Sequence, residues 1–520
     1  MIDGTEAAGY LNAIRSSLIS ASRSVRDAYS STRWLWYLRR TDPELVRGYL
    51  PNTEISILRI AENLTGLSTC HPNDDPVLLQ SPLTFDISLE VTARLARMLA
   101  ISEQLNHVEG WLRRSSKGTR FIVGESSLPD LELDEELEAA ITAFDKRALQ
   151  AATNRWHPLI SRDFDLHAKE PLLAIATMHL HGIRETVMWQ GAMADHPKPF
   201  MAPGRFGFGA MRLTDPLNPA IVEGSIGGMD MPREAAALVI LSQAVMLHAM
   251  LYSNSVGVNV PRVGYIIMDE QQLALIIAET LARTRKAAWP VMAGYVPADP
   301  ADVLALVKGM DLSDVASAYG PVLRPWRPGI VLIDLASLTS GLLHDLRLDA
   351  SVGGEWVNAS AAEFELAVQR LIDDTLLKPI DSIRQLRGVT LNLGGKPVTD
   401  ADALMVVEDT LILIDCKKYE LARPYDSGDY VSVRNARTKV DEDVSKWAKR
   451  LKTIRNNPVG DNYDFSQYDH FFGLVITPEV VFTRTPESLQ PQPIGKTGVS
   501  SAPYLAFAEL QILLENLGRG

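Results

Sequence analysis

The chain has 520 residues, 46% of them hydrophobic, which is ample for buried cores in roughly two to four domains and excludes a disordered protein. A formal net charge of −13 excludes a general attraction to phosphate backbones, so any nucleic-acid contact has to be made by a local patch. The two cysteines, Cys70 and Cys416, exclude a disulfide framework and a CxxC zinc site.

A reducing, cytoplasmic setting is therefore expected. The first residues, MIDGTEAAGYLNAIRSSL, do not read as a secretion signal, because no basic leader precedes an apolar run. From Thr5 to Arg40 apolar residues recur at helical spacing, and the same periodicity returns near 86–114, 131–155 and 168–192. The first 200 residues thus read as mainly helical. In this region Arg33, Trp34, Trp36, Arg39 and Arg40 combine aromatic and cationic character, which suits base stacking or an inward-packed helix. His181 and Glu185 share a face if 168–192 is a helix, while His179 points elsewhere, so no three-ligand metal cluster forms locally.

Residues 197–232 turn glycine- and proline-rich, as in an ordered loop or linker, and GRFGFG at 204–209 lacks the Gly-Lys-Ser/Thr ending of a phosphate loop. The most apolar stretch, Ala235–Met250, holds Ser242, Gln243 and His248 and is too short and polar for a membrane span, so no membrane partner is expected. Helices are expected at 233–253 and 270–288, and strands at 263–268 and 329–335. SVGGEWVNAS at 351–360 forms a second break before a helix starting near Ala361 with Ser360 as its cap. The expected organisation is a helical domain at 1–200, a mixed middle domain at 201–350 and a C-terminal α/β domain at 351–520.

The chemistry-bearing segment is VTDADALMVVEDTLILIDCKKYE. Two apolar strands, Ala403–Val407 and Leu411–Ile414, flank a turn at Glu408 and Asp409, and symmetric pairing places Asp402 opposite Asp415. Facing Cβ atoms lie about 5 Å apart, so two carboxylates there repel unless a cation sits between them or one is protonated. Alternation puts Lys417 on the face of Asp415, and Cys416 and Lys418 on the other. Hard oxygen ligands of this kind suit Mg²⁺ or Mn²⁺, and Lys417 would orient a water or offset charge on phosphorus.

Asp402, twelve residues, then Asp415, Cys416 and Lys417 at the end of an apolar strand resembles the PD-(D/E)xK nuclease superfamily, with its NERD-like and Mrr-like restriction-endonuclease branches nearest. The resemblance spans residues 361–485 and implies a restriction-endonuclease-like α/β domain with a mixed central sheet. It implies metal-dependent hydrolysis of DNA, with RNA as the other phosphodiester substrate, and Asp402 and Asp415 as metal ligands. Glu365, in EFELAVQRLIDDTL, would complete the metal site, with Glu363 as the nearby alternative. The sequence departs from the family pattern in Thr399 and Ala401 around the first acid and in Asp415 where glutamate is frequent. The resemblance also implies an N-terminal recognition or regulatory region answering to a protein partner or activating signal, and a role in bacterial restriction or anti-phage defence. A homodimer is expected, because cutting a duplex needs two sites or two visits. A non-catalytic protein using a nuclease-like fold as a binding module is the alternative.

Residues 434–455 carry eight Lys or Arg against three acids. On a helix, Lys439, Lys446, Lys449 and Arg450 share a broad face that can track a phosphate backbone, while Val444, Trp447 and Leu451 pack on the sheet.

Overall fold

Helical periodicity over the N-terminal region produces α1 (Gly4–Arg26), α2 (Ser31–Arg40), α3 (Ile55–Gly66), α4 (Leu89–Lys117) and α5 (Glu135–Leu159), with one short strand pair, β1 (Phe121–Ile122) and β2 (Asp130–Leu131), before α5. The computed structural model describes residues 1–41, 55–74, 88–124, 128–159, 173–187, 201–212, 233–251, 260, 262–287, 297–309, 320–345, 354–419, 421, 425 and 428–518. The middle of the chain supplies β3 (Leu173–Val187), β4 (Met201–Arg212), α6 (Arg233–Leu251), β5 (Tyr265–Asp269), α7 (Glu270–Ala287), α8 (Pro300–Lys308), β6 (Leu323–Arg327), β7 (Ile330–Asp334) and α9 (Leu335–Asp345). The C-terminal part runs α10 (Gly354–Asp373), α11 (Asp381–Arg384), β8 (Thr390–Leu393), β9 (Lys396–Asp400), β10 (Ala403–Val407), β11 (Thr410–Cys416), α12 (Tyr430–Asn456), β12 (His470–Thr477), α13 (Pro486–Leu489), β13 (Gln492–Pro493), β14 (Ser500–Ser501), β15 (Tyr504–Ala506) and α14 (Phe507–Leu517).

Two compact units emerge: Met1–Ala8, Arg113–Pro158 and Leu348–Gly520 form one, Gly9–Leu112 and Leu159–Arg347 the other. This differs from three consecutive domains at 1–200, 201–350 and 351–520. Helix α5 joins the C-terminal unit, where Leu137 and Ile141 bury against Val433 and Phe482. Arg147 also bonds Glu509 at 2.7 Å and lies 5.1 Å over the Tyr504 ring. In the second unit the helices and the three-stranded antiparallel sheet β5–β7–β6 share a core: Trp34, Leu64 and Leu95 pack with Tyr265, Trp326 and Leu332.

The His179–Glu185 segment is not helical. It lies in β3, paired antiparallel with β4 across a register shift between His179 and Arg184, and GRFGFG is part of β4 rather than a loop. Short apolar runs serve a strand as well as a helix, and here backbone pairing with a distant segment decides. Residues 168–172, 188–200 and 213–232 of the expected helix and linker lie outside the described residues. The aromatic stripe of α2 packs inward: Trp34 and Arg39 are buried, and the Arg33 guanidinium sits 4.1 Å over the Tyr29 ring. Helix α10 starts at Gly354, so Ser360 lies inside it rather than capping it.

The C-terminal sheet has the order β10–β11–β12–β15, with β10 antiparallel to β11 and the other neighbours parallel. All seven residues of β11 are buried. Leu411 and Leu413 pack with Val440, Val444 and Trp447 of α12, while the opposite pleat, carrying Ile412 and Ile414, lies under α10. A strand covered on both faces reads as the continuous apolar run TLILI. Helix α12 starts where the Asp429 side chain accepts from the Ser432 N–H at 2.8 Å and stops at Asn457, ahead of Pro458. Gly473 lets it approach, since a Cβ there would come within 2.9 Å of Leu451 and Trp447. Among the described residues no helix is long and apolar enough to cross a membrane.

Candidate functional site

The hairpin forms as its alternation predicts: Val407 pairs with Thr410 across the Glu408–Asp409 turn, and the ladder continues to Ala403 opposite Ile414. There it stops. Asp402 bends away, its N–H donating to the Ile414 carbonyl at 3.0 Å and its Oδ2 accepting from the Cys416 N–H at 2.6 Å. Asp402 is therefore not directly opposite Asp415, because its side chain satisfies the backbone donor that the missing rung leaves over. On α10, the Gln369 side-chain amide donates to the Asp402 carbonyl at 2.6 Å and fixes the bend from behind.

Asp415 is 5% exposed, yet it lies at the end of the strand, and Lys417 Nζ donates to its Oδ1 at 2.8 Å. Asp415 and Lys417 thus share a face, as alternation requires. The Lys417 N–H donates to the Ile476 carbonyl at 2.8 Å, which carries the β11–β12 ladder one residue past the strand.

Burial pushes the Asp402 carboxyl up to about 7 against the Cys416 N–H bond, with the negative charges of Glu365 and Asp415 adding to the rise. Burial also raises Asp415, opposed by Lys417. Glu365 on α10 is raised by burial, opposed by Lys417 and reinforced by Asp400 and Asp415. Burial works against the Lys417 ammonium, but Asp415 outweighs it and holds the group above its ordinary value. Glu365, on α10, therefore acts electrostatically on Asp402 and is itself acted on by Asp415 and Lys417. Glu363, two residues earlier on α10, is half-buried.

Three carboxylates against one ammonium leave a surplus of two negative charges when all are ionised. That surplus and the hard oxygen donors match a divalent cation of the Mg²⁺ or Mn²⁺ type. The side chains stand in a different arrangement here: Asp415 is turned onto Lys417 and Asp402 onto the Cys416 N–H. Among the described residues no three His, Cys, Asp or Glu side chains come together as a ligand cluster. The donor set fits such an ion in chemistry and charge, and binding would require Asp415 and Asp402 to exchange those partners.

Lys439, Lys446, Lys449 and Arg450 are all exposed on α12. Lys446 is engaged by Glu442 at 3.2 Å and Asp443 at 3.8 Å, whereas the Arg450 charge reaches Asp415. The sequence reading did not single out Gln369, Tyr419 or Asp443. Gln369 was within reach, since it follows Glu365 by four residues on the same helix face. Tyr419 donates to Asp443 across the β11–α12 connection, a tertiary contact that no spacing rule announces. No family model, curated protein or solved structure matches this chain.

Proposed function

We propose that this chain is a metal-dependent phosphodiesterase acting on DNA, with a restriction-endonuclease-like C-terminal domain whose chemistry is centred on Asp402, Asp415 and Lys417. The observation that carries the reading is the Asp415–Lys417 pair at the end of the central strand, with Asp402 held beside it on the Cys416 N–H and Glu365 within electrostatic reach of both members of the pair. Strand ends of a mostly parallel sheet are where chain reversal leaves room for a ligand. Asp402 and Asp415 would hold the ion, with Glu365 as the third oxygen donor. When bound, Mg²⁺ or Mn²⁺ supplies Lewis-acid polarisation of a phosphoryl oxygen and lowers the pKa of water. Lys417, released from Asp415, places its ammonium where charge develops on the phosphate oxygens. Burial raises the Asp402 carboxyl to about 7, so binding of the ion would compete with a proton on this ligand near neutral pH.

The exposed cations of α12 offer the local basic patch that an acidic protein needs to hold a phosphate backbone. The N-terminal region would then recognise a partner or activating signal, and restriction or anti-phage defence is the setting this resemblance suggests; a homodimer would supply two cutting centres. The reading is tested by incubating the protein with supercoiled DNA, linear DNA and RNA in Mg²⁺, Mn²⁺ and EDTA. The pairing of Asp415 with Lys417 and of Asp402 with Cys416 favours one second reading, a nuclease-like fold kept as a binding module. It expects no cutting under any of those conditions and unchanged nucleic-acid binding in Lys417→Ala.

A further inference from the structure

The chain leaves the sheet immediately after Lys417, where a catalytic lysine has most freedom to drift. Three hydrogen bonds restrict it. Before the exit, the Lys417 N–H is held by the Ile476 carbonyl of β12 at 2.8 Å. After it, Tyr419 N–H folds back onto the Lys417 carbonyl at 3.1 Å, and the Tyr419 hydroxyl donates in a short hydrogen bond to Asp443 Oδ2 on α12. The Tyr419 ring packs against the same core that holds Val444 and Trp447, the neighbours of Asp443 on the helix.

Asp443 is itself fixed. Val444 and Trp447 bury α12 on the sheet, and Asp441 accepts from Thr483, Thr485 and Ser488 at 2.6, 2.7 and 3.0 Å. The Asp443 charge also reaches both Lys417 and Asp415. Burial, together with Asp443, keeps the Tyr419 hydroxyl protonated well above its ordinary range, so it remains a donor at every working pH.

We infer that Tyr419 and Asp443 are a positioning pair that holds Lys417 at the reacting centre by tying the strand exit to α12. This inference rests on the nuclease reading for its catalytic consequence, but the placement of Lys417 can be measured without it. An ammonium tied in this way is poorly placed to meet a reagent from solution; with almost no change in volume, Tyr419→Phe removes the donor and Asp443→Asn weakens the tie by making its acceptor neutral.

The experiment compares the full chain with Tyr419→Phe, Asp443→Asn and the double variant. Pulse acetylation with acetic anhydride, read by mass spectrometry, gives the Lys417 labelling rate, with exposed Lys452 as internal control and thermal melting as the check on folding. Steady-state cleavage of DNA in Mn²⁺ gives kcat and KM. The pair predicts Lys417 labelling about threefold faster or more in each single variant, with Lys452 unchanged. It also predicts kcat about tenfold lower at unchanged KM, with the double variant no worse than either single. Unchanged Lys417 labelling in both variants, or faster labelling with kcat untouched, overturns it. If the unaltered chain cuts nothing, the nuclease reading is what fails, and the labelling rates alone decide the pair.

Discussion

Asp402 Oδ2 accepts the Cys416 N–H at 2.6 Å from a bend that begins where the β10–β11 ladder ends. The bond favours the ionised carboxylate, but burial wins and sets the group at about 7 in the folded chain, against about 3.9 when unfolded. The stability that comes from this raised value is fully present below about 3.9 and is lost as pH rises through 7. In EDTA, urea unfolding should therefore show the protein less stable at pH 8 than at pH 5.5, by about 1–3 kcal/mol from this group, and Asp402→Asn should flatten that difference. Mn²⁺ affinity should weaken about tenfold per pH unit below 7, as protons compete for the same oxygens. A pH dependence equal in the two proteins would assign the titration elsewhere.

Arg39 is buried against two acids, bonding Glu62 at 2.9 Å and Asp334 at 2.8 Å, with its third arm on the Val263 carbonyl at 2.9 Å. The acids outweigh burial and keep its charge, while burial pushes the neighbouring Arg324 down to about 10. Arg39→Ala leaves Asp334 and Glu62 charged and buried without their main partner, and should cost about 3–5 kcal/mol in chemical unfolding. A loss below about 1 kcal/mol would mean that water or Arg324 takes over the role.

Gly473 faces α12 so closely that an alanine methyl would meet Leu451 and Trp447 at 2.9 Å. Overpacking of this kind costs about 1–3 kcal/mol. Gly473→Ala should lower the melting temperature and, because it moves the helix carrying Asp443, also lower cleavage. A variant as stable as the parent would show that α12 shifts at no cost.

The hairpin was legible because two apolar runs meet at a two-residue polar turn, and that turn and the pairing from Val407–Thr410 to Ala403–Ile414 are found in the fold. The strands at 263–268 and 329–335 were legible as β-branched runs bounded by glycine or proline, and the helix at 434–455 by the spacing of its basic and apolar residues. The 168–192 segment was misread because its apolar spacing served either element and its pairing partner, β4, lies well downstream. The displaced Asp402 was invisible to symmetric pairing because one side-chain bond to the Cys416 N–H ends the ladder early. Tyr419 and Asp443 meet only because α12 folds back over the strand it follows. The assignment of α5 to the C-terminal unit depends on Leu137 and Ile141 finding Val433 and Phe482, far along the chain.

On α12, Lys439, Lys449 and Arg450 are exposed, while Lys446 is shared between Glu442 and Asp443. Measured in EDTA, the slope of log affinity for duplex DNA against log salt should fall by about 0.9 for each of Lys439→Ala, Lys449→Ala and Arg450→Ala that removes a phosphate contact. Lys446→Ala should change it less, since its ammonium is already paired. Slopes unmoved by all four would place the DNA path elsewhere.

The decisive measurement is cleavage of supercoiled DNA in Mn²⁺ and Mg²⁺ by the full chain beside Asp415→Ala and Lys417→Ala, with EDTA as control. A hydrolytic centre at the end of β11 predicts cutting that needs the metal and falls by about a hundredfold or more in both variants, each still folded by melting. Metal-dependent cutting that persists undiminished in both variants, or no cutting by the full chain under any condition, would contradict it.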